Sequence, residues 1–178
     1  MRALSAIVLL LVSACARPTV EAPPRPPTAA QLFALGGSYA RQGDLTRAEQ
    51  YMAGALRAGH APEETLRALL AVCVRAGRMR HALGHARHRL HLRPDDWRLR
   101  QLVAALHLAL GELDEADGEL REVVRRNPTI ALPHYTLGRL WLEHRGSPEA
   151  ARAHFAGYLE RAPDGRHAAQ ARAALARL

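Results

Sequence analysis

An internal period of 34 residues constrains this chain more than any other feature. Gly43, Gly77 and Gly111 stand 34 apart, and so do Ala48, Ala82 and Ala116, and His60, Pro94 and Pro128. A fourth copy arrives one residue late, with Gly146, Ala151 and Pro163. Three independent markers sharing one spacing define a repeated supersecondary unit, and periods of this length belong to stacked arrays. A unit this small cannot bury an apolar face alone. Copies must shelter one another, and three or more are needed for a stable stack.

The unit reads as a helical hairpin. Hydrophobic residues make up 48% of the chain but aromatics only 4%, with two Phe, and the excess is Ala and Leu, which pack helix on helix. Strand formers are too scarce for a sandwich or a parallel sheet. In the second copy, Leu66, Leu69, Leu70 and Cys73 share one helical face, and Leu83, Ala86 and Leu90 share another. Between them Ala76-Gly77-Arg78 provides a glycine where a helix can end in a left-handed turn. Pro94-Asp95-Asp96 and Pro128 mark seams, the aspartates serving as N-cap and first-turn acid. After Pro163-Asp164-Gly165 the spacing predicts a last helix with Ala169, Ala173, Leu175 and Ala176 toward a neighbour and Arg166, Gln170, Arg172 and Arg177 toward solvent.

These residues resemble the tetratricopeptide repeat (TPR), whose pattern is W-x2-L-G-x2-Y, then Ala-x3-Phe, then Pro. The first copy carries Leu32, Leu35-Gly36, Tyr39, Gly43-Asp44-Leu45, Ala48, Met52 and Ala55-Leu56. The fourth carries Leu137-Gly138, Trp141, Ala151, Phe155 and Pro163. The middle copies depart: Leu70 and Ala104 occupy the small position of the first helix, and Cys73 and His107 its aromatic one. The resemblance implies an all-α, right-handed α-solenoid of four TPR hairpins over 29–62, 63–96, 97–130 and 131–165, with a capping helix over 166–178.

The N-terminus reads as an address. Residues 1–14 form a charged start and a short apolar run, the pattern of a secretory signal, too short to span a bilayer. Val12-Ser13-Ala14-Cys15 resembles a bacterial lipobox, which implies lipidation of Cys15, stable anchoring through several acyl chains and, with Ala16 rather than Asp following, an outer-membrane destination facing the periplasm. Residues 15–28 make the lipidated start and a linker, with five prolines between Arg17 and Pro27. At roughly 3.1 Å per residue, this polyproline-type spacer holds the array some 30–40 Å from the lipid.

Little in the chain points to bond-making chemistry. Every one of the 25 basic residues is Arg, giving a net charge of +8 against 17 acids, but they are spread without a basic block, so no nucleic-acid partner is expected. The cysteines Cys15 and Cys73 are too few for a disulfide framework and lack metal spacing. His81, His85 and His88 share a helical face, so two could chelate a metal, yet no acid or cysteine of that helix completes a shell; no metal or other cofactor is expected. Arg78, Arg80, Arg87, Arg89 and Arg93 either find acids in adjacent copies or form a basic patch. No hydrolase triad, HExxH or phosphate-binding loop occurs, so neither an enzyme nor a small-molecule substrate is expected.

What the resemblance implies instead is a concave groove lined by the first helix of each copy. Carried over residue by residue, that surface holds Phe33, Gly37, Ala40 and Arg41; Arg67, Ala71, Val74 and Arg75; Arg98, Gln101, Ala105 and Leu108; and Leu132, Tyr135, Arg139 and Leu142. Arginines over an aliphatic and aromatic floor suit a protein or peptide with acidic and apolar residues. The Lys and Asn that grip a C-terminal carboxylate in chaperone-binding members are missing here. The chain is similar to small TPR lipoproteins that support pilus assembly, which implies an adaptor for an envelope complex. The alternative is an Arg-rich binder of an anionic polymer or lipid headgroup.

Overall fold

The computed structural model describes residues 25–178. Residues 1–14, read as a signal segment, Cys15 and the expected linker up to residue 24 lie outside the described residues. Nine helices and no strand occur among those described: α1 (Ala29–Arg41), α2 (Leu45–Arg57), α3 (Pro62–Arg75), α4 (Met79–Leu92), α5 (Trp97–Leu110), α6 (Leu113–Arg126), α7 (Ala131–Glu143), α8 (Pro148–Arg161) and α9 (Ala168–Leu175). Each packs on the next, so the chain is four hairpins and a final helix in a linear stack. No described helix is long and apolar enough to cross a membrane.

The period reappears as geometry. Gly43, Gly77, Gly111 and Gly146 take φ of 83°, 69°, 75° and 59°, a region that side chains with a Cβ rarely enter, and each turns one helix back on its partner. Ala48, Ala82, Ala116 and Ala151 are each 0% exposed, at the point where the second helix of each hairpin enters the core. The faces read from the second copy are buried as expected, including Leu69 and Cys73 of α3 and Ala86 of α4. Polar starts are satisfied locally: Thr28 and Gln31 form a capping box on α1, and Asp44 and Asp96 accept from Arg47 and Leu99 amides at 3.0 and 3.1 Å.

Departures from the repeat pattern set how closely each hairpin closes. A Cβ at Gly36 would sit 2.7 Å from the Met52 side chain, and one at Gly138 would sit 2.9 Å from the Phe155 ring. Those glycines let α1 approach α2, and α7 approach α8, more closely than the other pairs do. With Ala104 at the same position α5/α6 is looser, and with Leu70 the α3/α4 hairpin is the most open of the four. Side-chain volume at one position thus grades the four hairpins in order.

The last helix needs a correction. It spans Ala168–Leu175, and Ala168 and Ala171 are buried, with Ala174, Leu175 and Leu178 packed beside them. Ala169, Ala173 and Ala176, expected against the stack, are exposed. Alanine on every side of this segment leaves no apolar stripe to set its phase. The phase comes instead from the turn before it, where the Tyr158 hydroxyl accepts the His167 amide at 3.0 Å and the Tyr135 ring stacks on the His167 ring at 4.2 Å.

Candidate binding groove

Beside the open second hairpin lies a groove of about 780 Å³ between α3 and α5. Leu66, Leu70 and Ala71 of α3 and Leu99 and Leu102 of α5 form its floor, and Trp97 stands at one end. Val74 and Leu102 are 45% and 38% exposed, an unusual placement for aliphatic side chains in a chain whose other leucines mostly pack inward. A second concavity of about 320 Å³ lies between α5 and α7, with Leu108, Tyr135, Arg139 and Glu143 on its walls.

Charge on the rim divides into paired and unpaired groups. Arg93 bonds Glu63 and stands 3.6 Å from Asp96, and Arg89 lies 3.9 Å from the same Glu63. Arg67 and Arg98 have no acidic partner among the described residues, and the Arg98 guanidinium lies over the Trp97 ring at 4.4 Å. The main groove therefore presents an apolar floor edged by two uncompensated cations. In the second concavity Arg139 donates two 2.8 Å bonds to Glu143, and that hydrogen bonding holds the Glu143 carboxyl below its usual range.

The residues expected in the groove separate into three sets. Arg67, Val74 and Arg98 line the main groove, and Leu108, Tyr135 and Arg139 line the second. Phe33, Arg41, Arg75, Gln101 and Leu142 line neither. Phe33 stacks on His60 at 4.4 Å, Leu142 packs into the core of the fourth hairpin, Gln101 is half-buried, and Arg75 reaches back to the Ala40 carbonyl at 3.5 Å. Arg41 is exposed outside both concavities. Sequence reasoning missed Trp97 and Leu102; Leu66 and Leu70, read as core, are buried as expected and back the groove from beneath. The signal that could have found Trp97 and Leu102 was Leu70 itself, a large residue where the pattern wants a small one.

The arginines in and around α4 are largely paired, Arg78 and Arg80 with acids of adjacent copies as one of the two readings had it, Arg89 and Arg93 with Glu63 of their own copy. Arg78 pairs with Glu49 and Arg80 with Glu112, both at 2.8 Å, and Arg89 and Arg93 pair as above. Only Arg87 of the five has no acidic partner among the described residues. Such exposed pairs contribute under about 1 kcal/mol each, and they lower the local positive charge a polyanion would seek. His88 and His91 are exposed, while His81 and His85 turn toward Glu49 of α2, so the acid missing from α4 is supplied across the hairpin seam.

Neither a protein-family profile nor a curated protein sequence matches this chain. Solved structures do. YrrB, described as a TPR protein with an unusual peptide-binding site, aligns at a TM-score of 0.64 and 23% identity over 82% of this chain and 74% of that one. A tetratricopeptide repeat protein from Parabacteroides merdae aligns at 0.68 and 23% identity, over 83% of this chain and 58% of that one. MamA aligns at 0.63 and 18% identity, over 80% and 78% of the two chains. At these identities the likeness concerns fold, and with hairpins, turn glycines and buried alanines already in register it supports one conclusion: this chain has the tetratricopeptide-type solenoid fold.

Proposed function

We propose that this protein is a non-catalytic adaptor that captures an extended or helical segment of another protein in the groove between α3 and α5. The observation that carries the reading is the combination of the exposed apolar side chains Ala71, Val74 and Leu102 with Arg67 and Arg98, which have no acidic partner among the described residues. A segment alternating Leu- or Met-like side chains with Asp or Glu would cover the floor and give each guanidinium a planar carboxylate to grip. The peptide-binding site named for YrrB supports the same use of the fold.

The N-terminal sequence adds the setting. Lipidation at Cys15 would tether the array to the outer membrane, on the periplasmic side, with the Pro-rich stretch as spacer. There the adaptor would help assemble an envelope complex such as a pilus or a secretion apparatus. Binding of an anionic polymer or lipid headgroup through α4 is the weaker reading, because ion pairs with Glu49, Glu63 and Glu112 occupy most of its arginines.

The test uses the full chain carrying Cys15→Ser, and fluorescent peptides of alternating Leu and Asp, with Leu and Lys peptides as controls. A hydrogen bond to a charged group contributes roughly 1.5–3 kcal/mol, so Arg67→Glu with Arg98→Glu weakens the acidic peptide at least about tenfold. Arg80→Glu with Arg87→Glu leaves that affinity unchanged. The reverse pattern, or binding indifferent to peptide charge, overturns the groove reading. Retention of the same envelope protein by the parent but not by the Arg67/Arg98 variant would identify the partner.

A further inference from the structure

Away from the groove, α2, α3 and α4 bring together three side chains with metal-binding donors. Glu49, Cys73 and His85 each offer one donor atom, and those atoms lie within 4.8 Å of one another. The three are 24 and 12 residues apart in sequence and come from three different helices, so no local spacing announces them. Cys73 is fully buried, whereas the Glu49 and His85 side chains retain 12% and 30% of their exposure. His81, 61% exposed, stands beside them at the solvent edge and leaves an ion a path in.

We propose that Glu49, Cys73 and His85 form a binding site for one divalent ion of the zinc class, held by a carboxylate oxygen, a thiolate sulfur and an imidazole nitrogen. That donor set selects borderline-soft transition metals over magnesium or calcium. The His85 Nε2 already stands 3.7 Å from Glu49 Oε1, close to the roughly 3.5 Å edge of a tetrahedron built on zinc–ligand bonds of about 2.0–2.3 Å. Arg78 donates to Glu49 Oε2 at 2.8 Å and to Thr46 Oγ1 at 2.6 Å, which fixes the carboxylate and leaves Oε1 turned to the histidines. Such support of a ligand by its outer neighbours is typical of built metal sites. The fourth position faces the open side, where His81 or a water can complete the shell.

The histidine rests in its coordinating state and the thiol does not, so the metal must displace the thiol proton. Burial holds His85 below the usual imidazole value, so its nitrogen is free to coordinate at neutral pH. Burial, with the charge of Glu49, pushes the Cys73 thiol up to about 11. Coordination therefore replaces the S–H bond by a metal–sulfur bond and releases one proton to water. The dication is then balanced by the carboxylate and the thiolate, so Arg78 and the more distant Arg57 face no excess positive charge. The ion would tie the seam between the first two hairpins to the most open one.

The experiment titrates the full Cys15→Ser chain, which retains Cys73 as its single thiol, with Co²⁺ and then Zn²⁺. One cobalt per chain with a sulfur-to-metal charge-transfer absorption, bleached by zinc, is the expected result. Cys73→Ala removes that absorption. His85→Gln and Glu49→Gln each weaken cobalt binding at least about tenfold, while His88→Gln leaves it unchanged. Absence of the absorption from the parent, its persistence at full affinity in His85→Gln, or an equal loss in His88→Gln overturns the site. If Cys73→Ala fails to fold by circular dichroism, the half-exposed His85→Gln variant still decides the matter.

Discussion

The first and fourth hairpins are closed and the second is open, although each has one turn glycine and one buried alanine at the matching place. Gly36 and Gly138 bring their partners' Met52 and Phe155 side chains into the space a Cβ would take. Leu70 at the equivalent place in α3 holds α4 away, and its side chain becomes groove floor. The comparison teaches that in a stack of near-identical units the binding surface arises where the pattern is broken. An ideal repeat closes; beside the oversized, buried Leu70 the groove keeps Val74 and Leu102 exposed.

The sharpest way to break the comparison is to empty a closed hairpin. Phe155 is 1% exposed in the core of the fourth, and Phe155→Ala is expected to lower unfolding free energy by about 3–5 kcal/mol in urea melts. A loss near 1 kcal/mol would mean that this hairpin is not closed as described. Next in size, Gly36→Ala and Gly138→Ala force a methyl group into contacts of 2.7 and 2.9 Å, and each should cost about 1–3 kcal/mol by overpacking.

The same substitution reverses sign where space is open. Gly84 of α4 and Gly118 of α6 have nothing within 4 Å of an added Cβ. Gly84→Ala and Gly118→Ala should therefore each raise stability by up to about 1 kcal/mol through helix propensity, measured in the same melts. If all four glycines respond alike, approach distance is not what separates the hairpins.

The smallest expected effect is a pH dependence seated in the fourth hairpin. Burial, with the nearby Arg161 for His134 and Arg121 for His154, holds both imidazoles below their ordinary 6.5. Their pKa values rise on unfolding, so between the folded values and about 6.5 the unfolded chain binds more protons. Stability is full above that window and falls as pH drops through it. The melting temperature is expected to decline from pH 7 to pH 5, and His134→Leu should flatten the decline. That variant also removes a buried ring whose two nitrogens lack partners among the described residues, so it should not destabilise at pH 7. A melting temperature indifferent to pH in the parent would remove this contrast.

Much of the fold was legible because it is written in short-range terms. The turn glycines, the buried alanines and the faces Leu66-Leu69-Leu70-Cys73 and Leu83-Ala86-Leu90 all follow from helical periodicity and a fixed step. The groove was half legible. The register of the first helices pointed to Arg67, Val74, Arg98, Leu108, Tyr135 and Arg139, but register cannot tell which concavity stays open or that Phe33 will stack on His60. The last helix was misphased because a run of alanines carries no directional moment.

A repeating step and an alternation of apolar faces belong to the chain as written, since each copy meets the same local constraints and can shelter its oily side only against another copy. That reasoning yields hairpins, their number and their stacking without any coordinates. The meeting of Glu49, Cys73 and His85, the pairing of Arg78 and Arg80 with acids of neighbouring units, and the groove beside Leu70 required the tertiary structure. Each depends on distances between residues far apart in sequence, and those distances follow from how closely neighbouring helices can approach.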